Sequence, residues 1–305
     1  MRSRLLTNLF LLLLAIGLGT FLFVDEIEHN GVKQLTDISA DAISQIFIYH
    51  HQREINLDKS DSEWRMTQPI EITANQFRVK TLLNLLSTTS HVQYNADDLD
   101  LKKYGLDQPE SFIRFDNFKI DFGILNPIND LRYVKIGNQL HLIDEHYYPL
   151  LSSQIGTLIA RELLSANSKI NQLVLPEATL TRADNELWKS TTDISSDAIV
   201  ETIYQWTHKQ AFAVHDYVAR ESLGEIRVHL DGSGTPILFQ ITDVEPWLIL
   251  ARPDMNIEYH FNLEDYDALL RPGASKKIPD EFQDESSTET IQVSPDEFID
   301  AIQSQ

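Results

Sequence analysis

Ten histidines and 46 Asp and Glu side chains are the groups best able to do chemistry in this chain, so their spacing decides which reactions are open to it. His50, His51, His91, His141, His146, His208, His215 and His260 are the candidate ligands or bases. No two of them fall in an HExxH pattern or at the i, i+4 spacing by which one helix face presents two imidazoles to a metal. His50 and His51 are adjacent, so on a strand they point to opposite faces and only one can join a shared site. His91 and His215 stand near matching ends of two similar segments, each at the strand that follows a helix. A general base needs a placed partner, and nothing here supplies one, so all eight read as structural or surface histidines.

The other constellations fail for equally specific reasons. Asp97, Asp98, Asp100 and Asp107 crowd one loop, but the ligand order of a calcium loop, with its central Gly and final Glu, is absent. Asp231-Gly232-Ser233-Gly234 has the wrong spacing for a nucleophile elbow and lies between two strand-like runs, which makes it a hairpin turn. Gly17-Leu18-Gly19 sits inside an apolar run and cradles no phosphate. The chain has no cysteine, which excludes thiol catalysis, iron–sulfur clusters, Cys-based zinc sites and lipid attachment at Cys. We therefore expect no catalytic residue, no metal site, no cofactor and no enzymatic activity. Of the four tryptophans, Trp64 and Trp188 hold the same place in two similar segments, where a large ring most simply packs a helix on a sheet.

The elements that would carry these residues repeat once. Ile46, Ile48, Ile55 and Leu57 alternate around a polar His50-His51-Gln52 turn, the pattern of a hairpin with one buried face. Thr73-Ala74-Asn75-Gln76 is a capping-box pattern, and Val79, Leu82, Leu83 and Leu86 make one apolar stripe on the helix after it. Four short strands follow near Ser111–Phe115, Lys119–Ile124, Leu131–Ile136 and Gln139–Ile143, read as an antiparallel meander, with a helical stretch from His146 to about Leu164. After Ser165 the order begins again: ISQIFI from Ile43 is answered by INQLVL from Ile170, Trp64 by Trp188, VKTLLNLL from Val79 by VETIYQWT from Val200, FIRF from Phe112 by EIRV from Glu225, and EHYYPLL from Glu145 by EDYDALL from Glu264. The offset falls most where the first copy has Gly105-Leu106-Asp107-Gln108-Pro109 and the second has only Val218 to Leu223. Two copies are too few for a solenoid.

The start is different in kind. Leu5 to Val24 is an apolar run of about the 20 residues that a helix needs to cross a bilayer, with Arg2 and Arg4 before it and Asp25, Glu26 and Glu28 after it. By the positive-inside rule, the N-terminus is then cytoplasmic and the rest of the chain lies across the membrane. Cleavage of a signal peptide near Gly17 and Gly19 is the competing reading, but the apolar run continues through Phe21, Leu22, Phe23 and Val24 where a cleavage region is usually polar. The expected fold class is α+β: an N-terminal transmembrane helix followed by two homologous α+β units, each a strand hairpin, a helix and an antiparallel meander. The expected organisation is a stub and anchor at residues 1–24, a connector at 25–42, unit 1 at 43–165, unit 2 at 166–273 and an acidic, largely disordered tail at 274–305. The net charge of −21, from 25 basic and 46 acidic residues, argues against nucleic acid as a partner.

The order of anchor, strand pair, W-x4-P (Trp64 to Pro69), helix after Thr73, KYGLDQP (Lys103 to Pro109), meander and YVKIGNQLHLI (Tyr133 to Ile143) resembles an uncharacterised bacterial family known only as a domain of unknown function. The match is good from residue 43 to about 150 and weaker in the second copy, which lacks the Gly-Leu-Asp loop. The resemblance implies membrane-tethered proteins, many encoded beside ABC-type transporters of the gliding-motility auxiliary kind, and carries over no catalytic residue. The expectation is a non-enzymatic, single-pass inner-membrane protein with a periplasmic ectodomain. It would act as an accessory or assembly subunit of a membrane complex such as an ABC-type transporter, with integral-membrane proteins as partners. The alternative is a periplasmic ligand-binding module whose site lies between the two units, where pockets favour domain interfaces.

Overall fold

The computed structural model describes residues 33–165, 167–183 and 187–274. The expected anchor Leu5–Val24, residues 25–32 of the connector and the acidic tail from residue 275 onward lie outside the described residues.

In chain order the first half runs β1 (Lys33–Gln34), β2 (Gln45–His50), β3 (Arg53–Ser60), β4 (Glu63–Gln68), β5 (Ile72–Thr73), α1 (Gln76–Asn84), β6 (Thr89–Ser90), β7 (Val92–Asn95), β8 (Ser111–Phe115), β9 (Phe118–Leu125), β10 (Leu131–Ile136), β11 (Gln139–Asp144) and α2 (Tyr148–Ser152). The second half runs β12 (Ile170–Val174), β13 (Thr179–Arg182), β14 (Trp188–Ser190), α3 (Ser196–His208), β15 (Ala213–Asp216), β16 (Gly224–Leu230), β17 (Ile237–Asp243), β18 (Trp247–Arg252), β19 (Ile257–Asn262) and α4 (Asp265–Leu270). They form a nine-stranded sheet, β5-β4-β3-β2-β8-β9-β10-β11-β7, an eight-stranded sheet, β14-β13-β12-β16-β17-β18-β19-β15, and a two-stranded pair of β1 with β6. Apart from β5, the two large sheets follow one plan strand for strand. Registers agree too: Ile46 lies between Leu57 and Phe115, and Leu173 between Leu180 and Val228.

The α+β fold class, with its N-terminal transmembrane helix, is corrected here. Among the described residues the protein is mostly antiparallel sheet with four α-helices of 5 to 13 residues, and no helix is long and apolar enough to cross a membrane. The stretch expected to be helical from His146 to Leu164 holds the end of a 3₁₀ turn at Glu145–Tyr147, the five residues of α2 and a 3₁₀ turn at Ile155–Leu158. Its backbone groups go elsewhere: it bridges to both sheets, so tertiary bonds replace the i to i−4 ladder.

The sheets are shaped by local chemistry. His51 (φ 44°) and Gln52 (φ 68°) close β2 on β3, and Asp61 (φ 48°) and Ser62 (φ 71°) close β3 on β4. Two successive left-handed residues match the right-handed twist of a tight hairpin. Helix α1 is capped by Asn75, whose Oδ1 accepts from the Arg78 N–H at 3.1 Å, rather than by Thr73. Gln76 instead clamps the backbone of Trp64: its Oε1 accepts from Trp64 N–H at 3.0 Å and its Nε2 donates to Trp64 C=O at 2.9 Å. Trp64 itself is buried, packing α1 on the sheet. Residues 33–36, read from sequence as connector, are tied to the turn after α1 by Leu35 N–H donating to Thr88 C=O at 2.7 Å and Thr36 N–H to Leu86 C=O at 3.0 Å.

The KYGLDQP motif forms a cover. Leu106 is 2% exposed and is buried with Ala96, Leu140 and Leu142, a set separate from the main core. The loop presses so closely on β9 that a Cβ on Gly123 would lie 2.1 Å from the Tyr104 carbonyl oxygen. Only glycine permits that approach.

Candidate functional site

A concavity with a volume of about 810 Å³ lies between the two halves. One wall is the β4–β5 turn and the start of α1, with Arg65, Glu71, Asn75 and Phe77; the other is the end of α3 and the ends of β16 to β19, with His208, Leu230, Ile237, Arg252 and Tyr259. The floor between them is the connecting strand Ala160–Ser165.

That connector is a strap bonded to both sides. Asn75 N–H donates to Leu158 C=O at 2.8 Å and Ala160 N–H to Thr73 C=O at 3.0 Å, while Ala211 N–H donates to Arg161 C=O at 2.9 Å. Isolated bridges join Ala74 to Ile159 and Glu162 to Gln210. Gln210 completes the join: its Oε1 accepts from Arg161 Nη2 at 3.1 Å and its Nε2 donates to Glu162 Oε1 at 2.6 Å. One contiguous apolar core, containing Leu158, Ile159, Leu163 and Leu164 of the strap, runs through both halves.

Several polar groups line the cleft. Arg65 Nη1 donates to Thr73 Oγ1 at 3.3 Å, and Arg252 forms a two-pronged pair with Asp254 at 2.9 and 2.8 Å. That pair holds the Asp254 carboxyl below the usual carboxylate range. Tyr259 is pushed up to about 12 by burial, so its hydroxyl stays protonated. Phe77 stands 72% exposed at the mouth. His208 Nδ1 contacts its own neighbours Thr207 Oγ1 and Tyr204 C=O, and its ring stacks on Tyr204 at 4.2 Å. Thr207 Oγ1 also lies 3.0 Å from the backbone C=O groups of Ile203 and Tyr204, the contacts of an ordinary helix hydroxyl.

The remaining histidines are scattered over both sheets. His50 Nδ1 meets Ser111 Oγ at 2.6 Å, and burial, with His51 and Arg53 nearby, pulls its pKa below 6.5. His51 lies 3.3 Å from Glu110 and His91 3.4 Å from Asp144, while the ring of His146 packs on Tyr147. His141 is buried against Ser90 Oγ at 2.9 Å, and burial lowers its pKa. The apparent match of His91 with His215 does not survive the register. Gln93 faces His141 in the first sheet and Val214 faces Tyr259 in the second, so His215 occupies the place of Tyr94. Asp231–Gly234 is the β16–β17 turn, and Asp97 of the acidic loop accepts from Asn138 Nδ2 at 2.6 Å. Among the described residues no three His, Asp or Glu side chains converge so as to hold a metal.

Sequence reasoning passed over one cluster, on the face of the second sheet away from the core. Glu258 is 1% exposed; Arg220 grips both its oxygens at 2.8 and 3.2 Å, Val218 N–H donates to Oε2 at 3.1 Å, and His260 Nε2 donates to Oε1 at 2.9 Å. Burial alone raises a carboxyl's pKa, but these donors outweigh it and hold Glu258 below its ordinary value. Burial lowers His260, against the opposing pull of Glu258. The period-two spacing of Glu258 and His260 on β19 is the signal that puts both on one face.

Fold and cleft together define an antiparallel protein built on two large sheets with a cleft between its halves. Residues 64–228 match the family described as Domain of unknown function (DUF4340), and since that match covers more than half of the 305 residues, the chain belongs to this family. The match spans β4 to β16, across the strap. No curated protein and no solved structure matches.

Proposed function

We propose that this chain is a non-enzymatic binding subunit held at the inner membrane, with its sheets on the periplasmic side, acting as an accessory or assembly component of a membrane complex such as an ABC-type transporter. The observation that carries the reading is the cleft: a groove walled by both halves and fixed by a strap bonded to each. The apolar run Leu5–Val24 supports the tether, and the family resemblance, which implies membrane-tethered proteins encoded beside ABC-type transporters, supports the kind of partner. The test is purification of the full chain in mild detergent beside a Phe77→Asp variant. Membrane proteins recovered with the wild type and lost with the variant are the expected result. Recovery of the chain alone from both refutes the reading.

A second reading, a soluble ligand bound in the same cleft, is favoured by Arg161, whose guanidinium at the cleft floor meets the neutral amide of Gln210. A carboxylate ligand would complete that arginine. Thermal-shift screening with organic acids and acidic peptides separates the two readings: stabilisation that Arg161→Glu abolishes is specific to the second.

A further inference from the structure

We propose that His215 and His260 form a two-imidazole site for a borderline divalent transition metal, Zn²⁺, Ni²⁺ or Cu²⁺, on the outer face of the second sheet. Both residues come from adjacent strands, β15 and β19, and their rings lie 4.7 Å apart at 76°. A metal–nitrogen bond of about 2.0–2.1 Å puts each ring centre about 3.2 Å from a shared ion. At a nitrogen–metal–nitrogen angle between about 90° and 109°, the ring centres are then about 4.5–5.2 Å apart, and the observed spacing falls inside that window.

The second observation is what each ring does with its other nitrogen. Metal-binding histidines donate the far N–H to an oxygen, which fixes the tautomer and leaves the ligating lone pair bare. His260 Nε2 donates to Glu258 Oε1 at 2.9 Å, and His215 Nδ1 stands 3.3 Å from Gln154 Oε1 at the end of the strap. His260 Nδ1 and His215 Nε2 are therefore the bare nitrogens. His215 is exposed, and His260 keeps 8% of its surface open. Glu258 keeps its charge while Arg220 and Val218 hold it, so its pull on the His260 N–H is permanent. Neutral imidazoles select borderline metals over Ca²⁺ or Mg²⁺, and a chain of net charge −21 concentrates cations. With two protein ligands, water fills the other positions, so the ion is exchangeable.

The site carries its own reporter. Trp247 is 47% exposed and its ring lies 6.4 Å from that of His260, close enough for Cu²⁺ or Ni²⁺ to quench its fluorescence. The experiment titrates the untagged full chain at pH 7.5 with Zn²⁺ by calorimetry and with Cu²⁺ by fluorescence. Expected are about one equivalent bound, a Cu²⁺ quench that disappears with Trp247→Phe while Zn²⁺ binding persists, and binding that weakens as pH falls, because protons compete for the ligating nitrogens. His215→Ala, at an exposed position, should weaken binding at least tenfold. Gln154→Ala, which removes only the oxygen behind His215, should weaken it about 10–100-fold. The other adjacent pair, His50 and His51, with rings 4.3 Å apart, is the control. Titration unchanged in the His215→Ala, His260→Ala double variant, its fold checked by thermal melting, overturns the proposal. So does loss of the Trp247 quench in His50→Ala, or no binding by the wild type.

Discussion

Gly156→Ala puts the strap to the test. A Cβ at this position would lie 2.1 Å from the Val214 carbonyl oxygen, 2.6 Å from its carbon and 3.0 Å from His215 N. Carbon approaches a carbonyl oxygen comfortably at about 3.3 Å, so strap and β15 must separate by about 1.2 Å. Both partners are backbone, and no side-chain rotation can relieve the clash. Overpacking of this kind costs about 1–3 kcal/mol, and the absence of a flexible partner puts Gly156 at the upper end. A shift of that size also takes the bond from Ala211 N–H to Arg161 C=O beyond hydrogen-bonding range from its 2.9 Å, for about 1 kcal/mol more. Together, about 3–4 kcal/mol lowers the melting temperature of a domain this large by about 6–16 °C. Because the strap is what ties β15 and α1 into one core, the variant should also melt in two steps by calorimetry where the wild type melts in one. Gly234→Ala, with nothing within 4 Å of the added carbon, is the matched control and should stay within about 0.5 kcal/mol of wild type. A single Gly156→Ala transition at the wild-type temperature refutes the coupling.

Two further outcomes are expected. Leu106→Ala removes three carbons from a nearly sealed site, about 2.4 kcal/mol at about 0.8 per methylene before the cavity term; the loss should fall on residues 96–109, read as faster proteolysis there than elsewhere in the chain. His141 and His260 have folded pKa values below 6.5 because burial disfavours the charged ring, so between pH 7 and 5 the unfolded chain binds more protons than the folded one. Stability is then full above about 6.5 and falls as pH drops, with Glu258, depressed below 4.5, adding a second loss lower down. A urea midpoint flat from pH 7 to 5 contradicts this.

What the sequence made legible is what depends on near neighbours. The four strands of the first meander fall within about one residue of their expected bounds, because alternation and turn residues act over a handful of positions. The hairpin at His50–Gln52 and the turn at Asp231–Gly234 follow from the same chemistry. The strap was illegible for the opposite reason. Its partners, Thr73, Asn75 and Ala211, lie about 50–85 positions away, and a segment whose bonds outside one 3₁₀ turn are distant carries little periodicity of its own. Without it the cleft has no floor, so the cleft could be expected between the units but not built. The same locality misled the fold class: helix stripes are conspicuous in sequence, yet 13 residues is the longest helix the described chain makes.

One difference between two otherwise matching sheets decides where function can sit. In the first, the long KYGLDQP loop spreads over the outer face, and Leu142, which holds the place of His260, is 4% exposed beneath it. In the second, the cover has shrunk to residues 217–223, pinned by Tyr217 N–H to Asn256 C=O at 3.0 Å, Leu223 N–H to Ile241 C=O at 2.8 Å and the Arg220–Glu258 pair. The shorter cover of the second sheet leaves Val218 and Leu223 53% and 62% exposed, and beneath it a buried carboxylate with its donors takes the place of the first sheet's leucines. That exchange leaves Phe212 and Trp247 at 42% and 47% exposure beside His260, where the first sheet has Leu140 and Leu142 buried. The shortening that breaks the sequence repeat is thus the change that opens the second sheet's outer face, and any chemistry on that face belongs to the second half alone.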